Sequence, residues 1–292
     1  MPRATHIILQ KYEALKQSIK DDALSERTTD CIIEAFREAR LYLQGYAVLP
    51  LVYDGQGKEY FAFQNTQNGK ISRAVNRSLF LSFDNTVADV FLQNVKAREI
   101  TNQTSEEITK ACYTIAISFC CSIDMLKDND QKTPGTFFEY FIGHLMAVQL
   151  NVLPSNQLDV LNMDMRATLP TDFIFDLGEN RPKFHVPVKT STRERVVQVW
   201  AHQRVLDGVY GAGRFLGLLS CLSETKVNHQ NNVVTEICLP DQWRVYQLFI
   251  AQMKRIYYLD VPQKYDNLNR VFPPIHVKPF GDFFFEAEVL SN

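Results

Sequence analysis

Two runs of sequence decide the fold: Leu169-Pro170-Thr171-Asp172-Phe173-Ile174-Phe175-Asp176 and, after a turn at 178–182, Phe184-His185-Val186-Pro187-Val188-Lys189-Thr190. Each alternates in polarity with period two, as a half-buried strand does, and the short turn predicts an antiparallel hairpin. Alternate side chains share a face. Phe173, Phe175, Phe184, Val186 and Val188 therefore make one apolar face directed to a core. Asp172, Ile174 and Asp176 share the other face of the first strand, and His185, Pro187 and Lys189 that of the second. An aspartate opening one strand thus lies beside a lysine ending its neighbour.

Outward from the hairpin, Thr133-Pro134-Gly135 punctuates the chain and a helix is expected from about Thr136 to Leu150. A helix from about Thr192 to Leu206 follows the hairpin, with Ser191 and Thr192 as its caps. A strand is then expected at Phe215 to Leu222, a helix at Gln242 to Lys254 and a strand at Ile256 to Leu259. The aromatic tail from Phe280 to Val289 reads as strand-prone, and its rings as core or subunit interface. Asn162, Met163, Asp164 and Met165 read as a loop before the first strand of the hairpin. Nearer the start, Ile7 to Lys20 and Thr29 to Leu43 carry apolar residues at helical spacing. A turn-rich piece at Tyr53-Asp54-Gly55-Gln56-Gly57 separates short strand-like runs. A further helix begins near Thr104, where Thr104 and Glu107 form a capping-box pattern. These elements imply an α/β (α+β) protein: a central mixed sheet flanked by helices, with residues 1–125 mainly helical and 126–292 the core, in one continuous domain.

The 292 residues are 46% hydrophobic and 12% aromatic, ample for a buried core. Thirty-one basic residues face 33 acidic ones, for a net charge of −2. That balance excludes a generally basic nucleic-acid coat, so any such contact must come from local basic clusters. The six cysteines include no CxxC pair and read as reduced, mostly buried thiols. The first residues lack the apolar core of a signal peptide. The uncharged run from Ala111 to Ile123 is shorter than the ~20 residues of a membrane span. The expectation is a soluble, cytoplasmic bacterial protein with no membrane partner.

Asp172 beside Lys189 suits phosphodiester hydrolysis, in which a carboxylate holds Mg²⁺, the metal activates water and polarises phosphate, and a lysine stabilises the attacking hydroxide. On spacing alone the pair suits an ordinary hairpin better, since half-buried strands often end in charged residues. The surrounding residues are more specific. Leu169-Pro170-Thr171-Asp172 and Val186-Pro187-Val188-Lys189-Thr190-Ser191-Thr192-Arg193-Glu194-Arg195 resemble the motif of type II restriction endonucleases of the PD-(D/E)XK superfamily. The likeness is greatest to the branch that cuts CCGG, CCNGG and CCWGG sites. Those enzymes carry a Lys-Thr-Ser-x-Arg run leaving the catalytic strand and a Gly-x-x-x-Glu segment on an earlier helix, which Gly135-Thr136-Phe137-Phe138-Glu139 matches. The resemblance covers roughly Thr133 to Leu206.

That resemblance implies a restriction-endonuclease-like fold with Asp172 as the central metal ligand, Lys189 as the catalytic lysine and Glu139 as the helix-borne acid beside a Mg²⁺ ion. Arg193-Glu194-Arg195 matches the triplet with which CCNGG and CCWGG cutters read their outer C:G pairs. Arginine is well suited to guanine O6 and N7, and a carboxylate can accept from cytosine N4. The CCGG cutters' Arg-x-Asp-Arg is lacking, because Val196 fills its last place. A second departure is Pro187, which stands where an acid commonly precedes the lysine by two. In this branch that acid is usually moved to the next helix, thirteen or fourteen residues after the lysine, where this chain has His202 and Gln203. Asp207, about a turn further on, is the alternative source. His144 and His185 read as core or surface histidines.

The expected function is therefore Mg²⁺-dependent, site-specific cleavage of double-stranded DNA at a palindromic site with a CC…GG core. A two-fold site is met most simply by a homodimer, which could pair again into a tetramer. The N-terminal part would serve dimerisation or embrace the DNA. Two alternatives stand beside it: a repair or recombination nuclease of the same fold, and a catalytically inactive DNA-binding module.

Overall fold

The computed structural model describes residues 6–159 and 168–291. The expected loop at Asn162, Met163, Asp164 and Met165 lies outside them. The helices are α1 (Ile7–Asp21), α2 (Glu26–Leu43), α3 (Val87–Ala97), α4 (Ser105–Leu126), α5 (Lys132–Leu150), α6 (Val196–Tyr210), α7 (Pro240–Phe249) and α8 (Phe283–Ser291). The strands are β1 (Ala47–Tyr53), β2 (Tyr60–Gln64), β3 (Val75–Asn76), β4 (Ser155–Asp159), β5 (Thr168–Phe175), β6 (Lys183–Val186) and β7 (Val188–Lys189). They continue with β8 (Phe215–Cys221), β9 (Thr225–Asn228), β10 (Val233–Glu236), β11 (Met253–Tyr258) and β12 (Val277–Pro279).

The predicted hairpin is β5–β6, antiparallel, with Phe173 opposite Val186 and Phe175 opposite Phe184. Pro187, which has no N–H to give a ladder, falls between β6 and β7. The main sheet runs β12-β11-β8-β6-β5-β4, with β7 also paired to β8. β4, β5 and β6 are antiparallel neighbours, whereas β6, β8, β11 and β12 are parallel. Parallel neighbours need crossovers, and α6 is the one between β6/β7 and β8.

The sheet is covered on both faces. Phe173, Phe175, Phe184, Val186 and Val188 pack into the large core formed with α1, α2, α4 and α5. On the opposite face, Val199 and Trp200 of α6 and Trp243 of α7 pack over Leu219, Ile256 and Tyr258. Gly217 of β8 permits the approach of α6: a Cβ there would sit 2.6 Å from Met253 Sδ and 2.9 Å from Gln203 Oε1. The helix α4 starts with the predicted capping box, the Thr104 hydroxyl accepting from Glu107 N–H and Glu107 accepting from Thr104 N–H. It is long and apolar enough to cross a membrane, yet most of its apolar window is buried, as a core helix requires.

A second sheet, β3-β2-β1-β10-β9, joins segments remote in sequence. β1 lies parallel to β10, with Val52 opposite Val233. The two sheets are tied by the Lys58 ammonium, which donates to Glu236 Oε1 at 2.7 Å, Asp260 Oδ1 at 2.7 Å and Val261 O at 2.6 Å.

Two expectations are corrected. The aromatic tail is a turn and then helix α8, not a strand. Phe280, Phe283, Phe284 and Ala287 are spaced by three and four residues and are buried, while Phe285 points outward, so the run is helical in period. The helix expected at 242–254 ends at Phe249, and strand β11 already begins at Met253.

Candidate active site

The hairpin and α5 bring three of the predicted residues together. Asp172 Oδ2 accepts the Val188 N–H at 2.7 Å and the Lys189 ammonium at 2.6 Å. The first bond fixes the carboxylate against the start of β7. The second makes a partly exposed ion pair with the lysine that ends the strand. Glu139 approaches from α5. Burial pushes its carboxyl up to about 7, the neighbouring Asp172 carboxylate adds to the rise, and Lys189 opposes it. Each of these causes acts at short range, so Glu139, Asp172 and Lys189 share one electrostatic environment.

Gly143 explains how α5 comes so near. It stands one turn after Glu139, on the same side of the helix. A Cβ there would lie 2.7 and 2.8 Å from the Phe173 ring carbons Cε2 and Cε1, and closer still to Cζ. The bare backbone of α5 therefore rests on the ring next to Asp172.

The places where an acid was sought carry none that faces Asp172. His202 is half-buried and lines a small hollow with Asp172, Lys189, Pro170 and Gln198. Its pKa is lowered, first by burial and then by Lys189, with Asp172 opposing. Gln203 is buried and committed elsewhere: its amide donates to Phe215 O and to Asp207 Oδ1, each at 2.9 Å. Its Oε1 lies 3.0 Å from His185 Nδ1. Asp207 is thus engaged by Gln203, and burial raises its carboxyl above the usual range. His185 is fully buried beneath α6, and burial holds it neutral, with a pKa down at about 4. His144 is buried as well, between Thr29 and Ala23. Asp176 is turned outward to a surface pair with Lys183. Among the described residues, no three of His, Cys, Asp and Glu converge as a ready-made metal cage.

Lys189, paired with Asp172, stands on the wall of a broad cleft of about 960 Å³, together with Glu139, Arg193 and Arg195. Arg193 and Arg195 are exposed, and Arg193–Arg195 forms a single 3-10 turn before α6, not the first turn of the α-helix. Of Glu194 only the backbone is among the described parts. Ser191 and Thr192 do not cap the helix. Their hydroxyls donate to Glu224, at 2.7 Å to Oε2 and 2.5 Å to Oε1. A buried carboxylate is a stronger acceptor than water-exposed alternatives, and it takes both hydroxyls away from the helix start.

The sequence reading missed the rest of the cleft wall. Lys127 and Lys132 line it around the start of α5, Lys226 and His229 come from the β9–β10 hairpin, and Lys70 and Arg73 from the β2–β3 connection. Arg73 is neutralised by a bidentate pair with Asp124, at 2.7 and 2.8 Å. Those cations stand at scattered positions, and no local spacing marks them as a group.

No protein-family model matches the sequence, and no curated protein matches it. Two solved structures do. The type IIP restriction endonuclease Kpn2I superposes with a TM-score of 0.80 and 25% identity, over 97% of this chain and 97% of that one. Restriction endonuclease PspGI, solved in complex with its substrate DNA, gives a TM-score of 0.41 and 14% identity, over 70% of this chain and 80% of that one. Over almost its entire length, the protein has the fold of a type II restriction endonuclease.

Proposed function

We propose that the protein is a type II restriction endonuclease that cuts double-stranded DNA at a specific site with Mg²⁺, with Glu139, Asp172 and Lys189 as its catalytic set. The likeness to Kpn2I supports sequence-specific DNA cleavage. The single observation that carries the chemistry is the meeting of Asp172 with Lys189, which stands with Glu139 on the wall of a cleft that also holds Arg193 and Arg195.

The donor set fits a magnesium ion. Mg²⁺ is usually held by one or two carboxylates plus water and phosphate oxygens, not by a full protein cage. Asp172 makes its hydrogen bonds through Oδ2, which leaves Oδ1 for a cation. Burial, with the neighbouring Asp172 carboxylate, keeps Glu139 protonated up to about pH 7, and the charge of a divalent ion would offset both. Bound there by Asp172 and Glu139, the ion would polarise the scissile phosphate and lower the pKa of water. Lys189 holds a positive charge where the attacking oxygen becomes negative. Arg193 and Arg195 would read guanines of a CC…GG site, in the reading role the sequence resemblance implies.

A palindromic site suits a homodimer, and such an enzyme would act in the bacterial cytoplasm. The rival reading, a module that binds DNA without cutting, rests on His202 and Gln203 standing where acids are implied.

Incubating the purified protein with phage DNA and Mg²⁺, and sequencing the fragment ends, tests the proposal. Discrete fragments sharing a CC…GG core are expected. Binding without cleavage would establish the inactive module, and structure-dependent nicking a repair nuclease.

A further inference from the structure

The ladder between β7 and β8 continues past both strands. Leu222 N–H donates to Lys189 O at 3.1 Å, and Ser223 N–H to Thr190 O at 3.2 Å. At the next step the backbone ladder stops and a side chain replaces it. Glu224, 1% exposed, accepts from the Thr192 N–H at 2.8 Å, the Thr192 hydroxyl at 2.5 Å and the Tyr258 hydroxyl at 2.8 Å on Oε1. Its Oε2 accepts from the Ser191 hydroxyl at 2.7 Å. Thr192 O in turn accepts the Arg195 N–H at 3.0 Å, closing the turn that carries both arginines. Within that turn Arg193 has φ +39°, a left-handed conformation that a residue with a Cβ keeps only when its surroundings impose it.

We propose that Glu224 is a positioning residue that fixes the Arg193–Arg195 turn relative to Lys189. The inference rests on the function proposed above. A buried carboxylate with four donors gains nothing from packing, since an apolar residue would fill its place without desolvating a charge. Besides Tyr258, its partners are Ser191 and Thr192, two of the three residues between the catalytic strand and the exposed arginines. On one side it is locked to β11 through Tyr258, whose phenol burial keeps protonated as a donor. On the other it grips Ser191 and Thr192. The arginines thus meet DNA already ordered, which spares specific binding the entropy of ordering them. Non-specific binding, made through phosphates along the cleft, does not need that order.

Glu224→Asp, Glu224→Gln and Glu224→Ala test this in the full-length protein. Asp keeps the charge but withdraws the carboxylate by one methylene, out of reach of Ser191 and Thr192. Gln keeps the length, with its carbonyl oxygen facing Thr192 and its amide facing a Ser191 hydroxyl that can turn to accept. The probes are a duplex carrying the mapped site and duplexes with single-base changes. Asp should lower the ratio of specific to non-specific affinity by roughly five- to a hundredfold, the worth of one bidentate base contact. The cleavage rate at saturating cognate DNA should fall much less, and Gln should largely restore the ratio. Limited trypsin digestion without DNA gives a second readout: cutting after Arg193 or Arg195 should be faster in Asp and near wild type in Gln.

A folded Asp variant with wild-type discrimination and wild-type trypsin resistance would overturn the proposal. So would an equal loss of specific and non-specific affinity. If Ala does not fold, Asp and Gln decide. If the wild-type protein makes no discrete cuts, the endonuclease reading fails, while the trypsin comparison still tests whether Glu224 holds the turn.

Discussion

Gly143→Ala is the sharpest test of how the candidate site is assembled. The added Cβ would stand 2.7 Å from Phe173 Cε2, whereas carbon atoms pack at about 3.5–4.0 Å. The ring or the helix must therefore retreat by roughly 1 Å. Phe173 is buried between α5 and the sheet, and interiors are too closely packed for its ring to swing aside freely. The easier movement lifts α5 off β5 and takes Glu139 with it, one turn away. Overpacking costs about 1–3 kcal/mol, while replacing a helical glycine by alanine returns about 1 kcal/mol. The net loss of stability is about 0–2 kcal/mol, a few degrees of Tm in a chain of this size. Misplacing a reacting group by about 1 Å can cost about a hundredfold in rate. Single-turnover cleavage should thus fall far more than thermal stability. Adding Phe173→Leu to Gly143→Ala removes the obstructing ring edge and should restore much of the rate, with a coupling above about 1 kcal/mol. A Gly143→Ala protein that is more stable and cuts at the wild-type rate would show that the contact of α5 with Phe173 does not set the position of Glu139.

Asp172→Ala and Lys189→Ala should each abolish cleavage while leaving site-specific binding measurable by gel shift, because each group acts mainly on the chemical step; near-wild-type cutting by either would remove it from the catalytic set. Glu139, with its carboxyl near pH 7 in the metal-free protein, must lose a proton to bind a cation, so Mg²⁺ affinity should rise steeply from pH 6 to pH 8 and flatten above. Calorimetric titration should show this for the wild type, and an equally steep rise in Glu139→Gln would assign the proton elsewhere. His144 bears on stability alone: burial lowers its pKa to about 4 from 6.5, so its folded value lies below its unfolded one. The stability it contributes is present above pH 6.5 and is lost as pH falls from there through 4, about 2 kcal/mol of it by pH 5. Chemical denaturation of His144→Gln, which cannot gain that charge, should depend less on pH across this range than the wild type; equal slopes would refute the assignment.

The sequence by itself determined the β5–β6 hairpin, because alternation with period two is a local property and a slip of one residue would turn five apolar side chains away from the core. The same alternation put Asp172 and Lys189 near each other at one end of the hairpin, and the Thr133-Pro134-Gly135 punctuation put Glu139 on a helix from about Thr136 to Leu150. Local pattern failed where the deciding partner was remote. Ser191 and Thr192 have the composition of helix caps, yet Glu224, more than thirty residues later, is the better acceptor because it is charged and buried. The aromatic tail is ambiguous until its rings meet α4 and α5, and then the three-and-four spacing of Phe280, Phe283, Phe284 and Ala287 prevails. Only the tertiary structure decided that β1 pairs with β10 across some 180 residues, that Lys58 is held by Glu236 and Asp260, and that cations from four separate segments face one cleft. A strand's own pattern fixes which face it buries. It does not name its neighbour, and a charge buried or aimed by tertiary packing leaves no periodic trace in the chain that carries it.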